Sequence, residues 1–191
     1  NVHPGLQIAL IPVGEVDQAI LSLLKVDLLE IFSADIEVYP ALPLGPDHFA
    51  KDRGQYLADG LLDAFSRVVP MAGTLLLGIT ETDLFSPGMN CVFGIANRGR
   101  ALISTFRLRP EFFGQGPNPK VFQRRVLTEA VHELGHALGL PHCEYPGCVM
   151  YFSNWIGDTD RKGPGFCFMC ARTLERMMVT RDGHAGKKME R

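Results

Sequence analysis

One run of eleven residues restricts the fold more than any other: His132-Glu133-Leu134-Gly135-His136-Ala137-Leu138-Gly139-Leu140-Pro141-His142. It holds three of the chain's 6 histidines. His132 and His136 are four apart, so a helix sets them on one face, one above the other. Neutral imidazoles in that relation suit Zn²⁺, which takes nitrogen ligands at about 2.0–2.1 Å. Gly139 can adopt the left-handed conformation that ends a helix, and Pro141 cannot continue one. The chain can then turn back and bring up His142 as a third ligand. A fourth position stays open, as in catalytic rather than structural zinc sites. Glu133 can reach the metal's edge without binding it, as a general base must. The alternative is a polar helix face with three solvated histidines; the extension through Gly139 to His142 weighs against it.

A second cluster follows. The chain has 5 cysteines; Cys143, Cys148, Cys167 and Cys170 fall in two short pairs, with Cys91 apart. Four thiolates in two pairs suit a tetrahedral structural zinc. Two short disulfides are the other possibility, but an odd count and no secretory signal pattern at Asn1-Val2-His3-Pro4 favour metal in a reducing compartment. A cytoplasmic location is expected. His142 and Cys143 would serve different metals, which places the two zincs within about 15 Å of each other.

A chain of 191 residues suits one domain with a substantial core. With 46% hydrophobic and 21% charged residues and a net charge of −2, it offers neither a disordered composition nor a basic face for nucleic acid. No apolar run approaches the roughly 20 residues that cross a bilayer. No membrane or nucleic-acid partner is expected, and a monomer is favoured.

Read in order, Leu6–Ile11 is a buried strand, Val16–Phe32 a helix with Val16, Ile20, Leu23, Leu24 and Ile31 inward, and Ile36–Tyr39 a second strand. That order favours a parallel pair with a helical crossover. Residues 40–54 read as a loop in which His48 is an ordinary surface histidine, and Tyr56–Val68 as a helix. Thr74–Ile79 is a third buried strand, and Glu81-Thr82-Asp83 a turn rather than a cation site. Cys91–Ala96 and Ala101–Phe106 form a hairpin, so one edge strand runs antiparallel; Cys91 in it is a small buried hydrophobe. After the loop at 108–118, Asn118 caps a helix that Pro119 opens. Its Leu127, Ala130, Val131, Leu134 and Leu138 pack on the sheet, and His132 and His136 face a cleft. Little regular structure is expected from His142 to Cys170. Ala171–Thr180 forms a final helix, followed by a polar tail in which Lys187 and Lys188 are solvated.

His132-Glu133-x-x-His136-x-x-Gly139-x-x-His142 followed by Met150 resembles the metzincin metalloproteases. Cys143-x4-Cys148-x-Met150 with Cys167-x-x-Cys170 is similar to one branch, the archaemetzincins. The branch resemblance covers residues 132–170. It implies an α/β (α+β) fold: a twisted, mostly parallel sheet with an antiparallel edge strand, a backing helix and an active-site helix. The upper subdomain would span 1–139, and a small irregular lower subdomain with a final helix 140–191. Met150 would form the Met-turn, an apolar floor beneath the histidines. The edge strand near residues 91–96 would hold an extended substrate by strand addition. Some metzincins carry a tyrosine two residues after that methionine; here the position is Phe152, with Tyr151 one residue earlier.

The expected function is therefore zinc-dependent hydrolysis of peptide bonds in a peptide or protein substrate. Two Zn²⁺ per chain are expected, one catalytic and one structural. The catalytic zinc lowers the pKa of its water toward about 7, and Glu133 takes the proton and passes it to the leaving amine. The alternative is a zinc-containing peptide-binding protein of latent or very narrow hydrolytic activity, its pockets closed around Trp155 and Phe166. Hydrolysis of a non-peptide amide would use the same residues.

Overall fold

Gln7–Pro12 is apolar on both faces, as a strand in the middle of a parallel sheet requires, and it forms β1 of the computed structural model, which describes residues 5–68 and 73–185. Asp17 caps the next helix by accepting from the Ala19 amide at 2.9 Å, and α1 runs over Gln18–Phe32. It returns the chain to β2, Asp35–Val38, parallel to β1. Short strands β3 (Phe49–Ala50) and β4 (Gln55–Leu57) precede α2, Ala58–Ala64. Then come β5 (Leu75–Thr80), β6 (Leu84–Phe85), β7 (Gly94–Asn97) and β8 (Arg100–Ser104). Helices α3 (Pro119–Leu138), α4 (Ile156–Lys162) and α5 (Phe168–Ala185) complete the order.

The main sheet is ordered β2-β1-β5-β8-β7. Its first four strands are mutually parallel, and β7 lies antiparallel to β8 at one edge. Alternation along β1 divides the core. Ile8 and Leu10 face α1 and α3, while Ala9 and Ile11 face α2. Gly78 in β5 leaves room for the Phe65 ring, which a Cβ there would strike.

Several expectations are corrected. The inward residues of α1 are Ile20, Leu21, Leu24, Leu28 and Phe32; Leu23 and Ile31 are exposed, because the sheet contacts a face rotated by one position. Tyr56 and Leu57 belong to β4, which pairs with β3 and β6 in a small second sheet, so the helix begins at Ala58. Strands of two or three residues are too short to carry a hydrophobic period. His48 is half-buried, its ring filling the space over Gly60. Cys91 precedes the edge strand, which starts only at Gly94, and it is half-buried beside the cleft. Two residues, Arg98 and Gly99, make the hairpin turn. Helix α4 breaks the stretch expected to be irregular, and α5 opens at Phe168. The turn at 81–83 stands: Arg109 holds Glu81, and Arg107 grips both oxygens of Asp83 at 2.7 Å. Lys187 and Lys188 lie outside the described residues. No helix among the described residues is long and apolar enough to cross a membrane.

Candidate active site

Helix α3 runs between the sheet and the segment that follows it, which accounts for its burial on nearly every side. Asn118 Oδ1 accepts from the Val121 amide at 3.2 Å at its start. At its end Gly139 takes φ 109°, and the Leu140 amide bonds the Gly135 carbonyl at 2.9 Å. That six-to-one closure is the Schellman turn, for which glycine is the cheapest residue. It also delivers the Leu140 carbonyl to His136, whose Nδ1 lies 2.8 Å from it. His132 Nδ1 lies 2.7 Å from the Val149 carbonyl.

A carbonyl oxygen only accepts, so Nδ1 of both rings carries the proton. Each Nε2 is then a bare lone pair, and the two face each other at 3.2 Å. Neither can donate to the other; a cation between them reconciles the pair. His142 completes the group, its ring centroid 4.6 Å from that of His136 and 5.5 Å from that of His132. One nitrogen of each ring falls within 4.8 Å of the others. The donor set fits zinc. Burial lowers the pKa of all three rings, that of His132 to about 3, helped by the Lys162 ammonium. Neutral, ligand-ready imidazole is thus the resting form.

Met150 is fully buried beneath the rings' helix, and a Cβ on Gly135 would collide with its Sδ. Phe152 packs edge-on against His142, centroids 5.0 Å apart, so a hydrocarbon ring stands where some metzincins have a phenol. Tyr151 pairs through its backbone with Cys143 in an isolated parallel bridge. Phe166 packs into the core against Phe32, and Trp155 is 60% exposed, so neither closes the cleft.

Glu133 is buried and lines a cavity of about 140 Å³. Met89, Cys91, Val92, Phe93, Phe152 and Asn154 line it with Glu133. Burial, and then the charge of Glu129 one turn before it, hold its carboxyl well above the usual carboxylate range. Lys162, from α4, opposes that effect. Its Nζ donates to the Tyr151 carbonyl at 3.0 Å and lies 3.9 Å from Glu129 Oε1 and 3.2 Å from His132 Nδ1. Because the shorter Val149 contact keeps the proton on Nδ1, the ammonium's partners are Tyr151 and Glu129. Thr159 Oγ donates to Glu129 at 2.8 Å. Sequence reading missed Glu129, Lys162 and Gly94. The spacing of Glu129, four before Glu133 and three before His132 on the same helix, was the one available signal.

The four clustered cysteines are free thiols with Sγ atoms within 4.8 Å of one another. Cys143 and Cys167 Sγ are 3.9 Å apart. A tetrahedron with zinc–sulfur bonds of about 2.3 Å has edges of about 3.8 Å, whereas a disulfide would need about 2.05 Å. The set fits a metal. The Cys170 amide draws the Cys167 thiol down to about 7, while burial pushes Cys148 and Cys170 up.

Cutting an extended chain calls for an open metal site, a carboxylate beside it and a free strand edge along it, and this geometry places the molecule among metallopeptidases. A model of peptidase family M54 matches residues 47–176. The archaemetzincin of Pyrococcus furiosus is 42% identical over 179 residues, 90% of this chain and 93% of that one. The crystal structure of the archaemetzincin from Methanopyrus kandleri superposes with a TM-score of 0.80 at 33% identity, over 91% of this chain and 96% of that one. That from Archaeoglobus fulgidus, complexed with malonate, gives 0.76 at 37% identity, over 87% and 99%. The chain belongs to the archaemetzincins, peptidase family M54, a family of zinc metallopeptidases. Membership favours hydrolysis over the binding-only alternative.

Proposed function

We propose that the chain hydrolyses peptides at the histidine site, with Glu133 as general base. His132, His136 and His142 hold the catalytic zinc, and Cys143, Cys148, Cys167 and Cys170 a structural one. The observation that carries this is the pair of Nε2 lone pairs converging at 3.2 Å with Glu133 on the adjoining turn. When bound, zinc supplies a Lewis acid that polarises the substrate carbonyl and acidifies water. Glu133 takes a proton from the attacking water and delivers it to the leaving amine. Met150 supplies the Met-turn floor. Gly139 divides an upper part, 1–139, from a lower part, 140–191, with the cleft between them.

The unpaired side of β7 holds the substrate backbone by strand addition. The free thiols fit a reducing compartment, and a cytoplasmic monomer is the favoured form. The test is a diverse peptide pool digested by the zinc-loaded protein and analysed by mass spectrometry. Cleavage that a chelator abolishes is expected. Glu133→Gln is expected to keep its zinc and lose about 10²- to 10⁴-fold in kcat. A Glu133→Gln protein of undiminished activity would overturn the role.

A further inference from the structure

Two of the three histidines depend on residues bonded directly to cysteines of the thiol cluster. His142 precedes Cys143 in the chain. Val149, whose carbonyl fixes His132 at 2.7 Å, follows Cys148. His136 alone is fixed from within its own helix end, by Leu140. Among the described residues no hydrogen bond reaches a ring nitrogen of His142; its ring packs against the other two imidazoles and Phe152. Its place is therefore set by the backbone that carries it.

That backbone is a loop closed on itself. The Cys143 amide bonds the Met150 carbonyl and the Tyr151 amide the Cys148 carbonyl, both at 2.9 Å. The Val149 amide reaches the Gly165 carbonyl at 2.8 Å. The thiols sew this loop to the start of α5. Cys143 Sγ meets Cys167 Sγ at 3.9 Å, and the Cys167 amide points at Cys148 Sγ at 3.3 Å. Apolar packing holds the end of this loop, where Cys148, Val149 and Met150 are fully buried, but not its tip, where Tyr145 is 62% exposed.

We propose that Cys143 and Cys148 are positioning residues for the histidine site, so that metal in the thiol site sets the affinity of the histidine site for zinc. Four bonds to one ion fix the backbone at 143 and 148. With it come the His142 ring and the Val149 carbonyl that orients His132. Emptied, the thiol site leaves His142 with ring packing alone and the Val149 carbonyl with the Gly165 bond and the burial of Val149 but no metal tie on either side, while His136 keeps its support in full. By linkage the coupling is reciprocal: zinc at the histidines tightens the thiol site by the same factor. This inference rests on the two-metal reading above.

The experiment measures zinc affinity at each site by competition with a chromophoric chelator. Cobalt substitution reports the thiol site through its sulfur-to-metal charge-transfer bands. Cys167→Ser/Cys170→Ser breaks the cluster without altering a neighbour of His142 or Val149. It is expected to bind one zinc, at the histidines, at least about tenfold more weakly than wild type. His136→Ala weakens the histidine site from the helix side and leaves the thiol loop intact; it is expected to lower thiol-site affinity for cobalt. The second arm stands even if the double variant fails to fold. Histidine-site affinity within twofold of wild type in the serine variant, or thiol-site affinity unchanged in His136→Ala, would overturn the coupling. Wild-type protein that binds only one zinc would overturn the two-metal reading and this inference with it.

Discussion

Gly94 of the edge strand and Glu133 of the central helix lie in direct contact: a methyl group on Gly94 would sit 2.6 Å from Glu133 Cγ and 2.8 Å from Oε1. The same methyl would stand 2.9 Å from the Leu102 carbonyl, a backbone atom of the paired strand that cannot swing aside. Glycine at this point lets the edge strand β7 and the carboxylate proposed as general base share one place. Gly94→Ala is expected to displace Glu133 and lower kcat by about 10²-fold with zinc content unchanged. Steady-state kinetics with metal analysis of the same sample checks it; an alanine variant of normal kcat would show the contact to be yielding.

Lys162 is a buried cation, its side chain 0% exposed, beside the 4% exposed carboxylate of Glu129. Removing one member of such a pair leaves the other charge uncompensated, at about 3–5 kcal/mol. Lys162→Met is expected to destabilise by that amount in denaturant unfolding. Lys162→Met/Glu129→Gln is expected to recover part of the loss, because the glutamine keeps the bond from Thr159 without the charge. Additive losses in the double variant would refute the pairing.

Gly135 and Met150 form a matched contact under the rings. Gly135→Ala is expected to cost about 1–3 kcal/mol by overpacking. The far end of a methionine is flexible, so adding Met150→Ala should relieve the clash. The double variant is then expected to lose less stability than the sum of the singles, read from thermal or denaturant unfolding.

The histidines make the metal-free protein sensitive to acid. Burial places His132 at about 3 in the folded chain against an ordinary 6.5. A folded pKa below the unfolded one means the native state prefers the neutral ring. That preference stabilises in full above pH 6.5, declines as pH falls, and is exhausted near pH 3. For His132 the loss between pH 7 and pH 3.5 is about 4 kcal/mol. Glu133 runs the other way. Its raised folded pKa stabilises below about pH 4.5, and the contribution is lost as pH rises through that folded pKa. Unfolding of chelator-treated protein across this range, beside a His132→Asn variant whose stability falls less in acid, separates the histidine contribution.

The metal-binding pattern was legible because it is local. His132, His136, Gly139 and His142 sit within eleven residues; helix geometry puts His132 and His136 on one face, and the turn at Gly139 brings His142 back to them. The parallel sheet was legible for a similar reason, since Gln7–Pro12 and Leu75–Thr80 are apolar on both faces. Lys162 was not legible. It reaches His132 from 30 residues away on α4, a helix of 7 residues whose Asp158, Thr159 and Lys162 are buried polar groups. A helix that buries polar side chains against other polar side chains has no hydrophobic stripe to announce it. Gly94 was missed because what it must accommodate, Glu133, belongs to a different element. Cys91 was misassigned because its apolar neighbours resemble a strand, while the ladder begins only at Gly94.

The brevity of β7 bears on what the cleft can grip. In an antiparallel ladder, alternate residues turn both main-chain groups toward the partner strand. Of the 4 residues from Gly94 to Asn97, about half therefore present an amide and a carbonyl outward. A peptide laid along this margin gains only a few backbone bonds, each worth about 1 kcal/mol net. Grip of that order favours quick release over long residence. Discrimination between substrates then falls to whatever side chain enters the cavity beside Glu133.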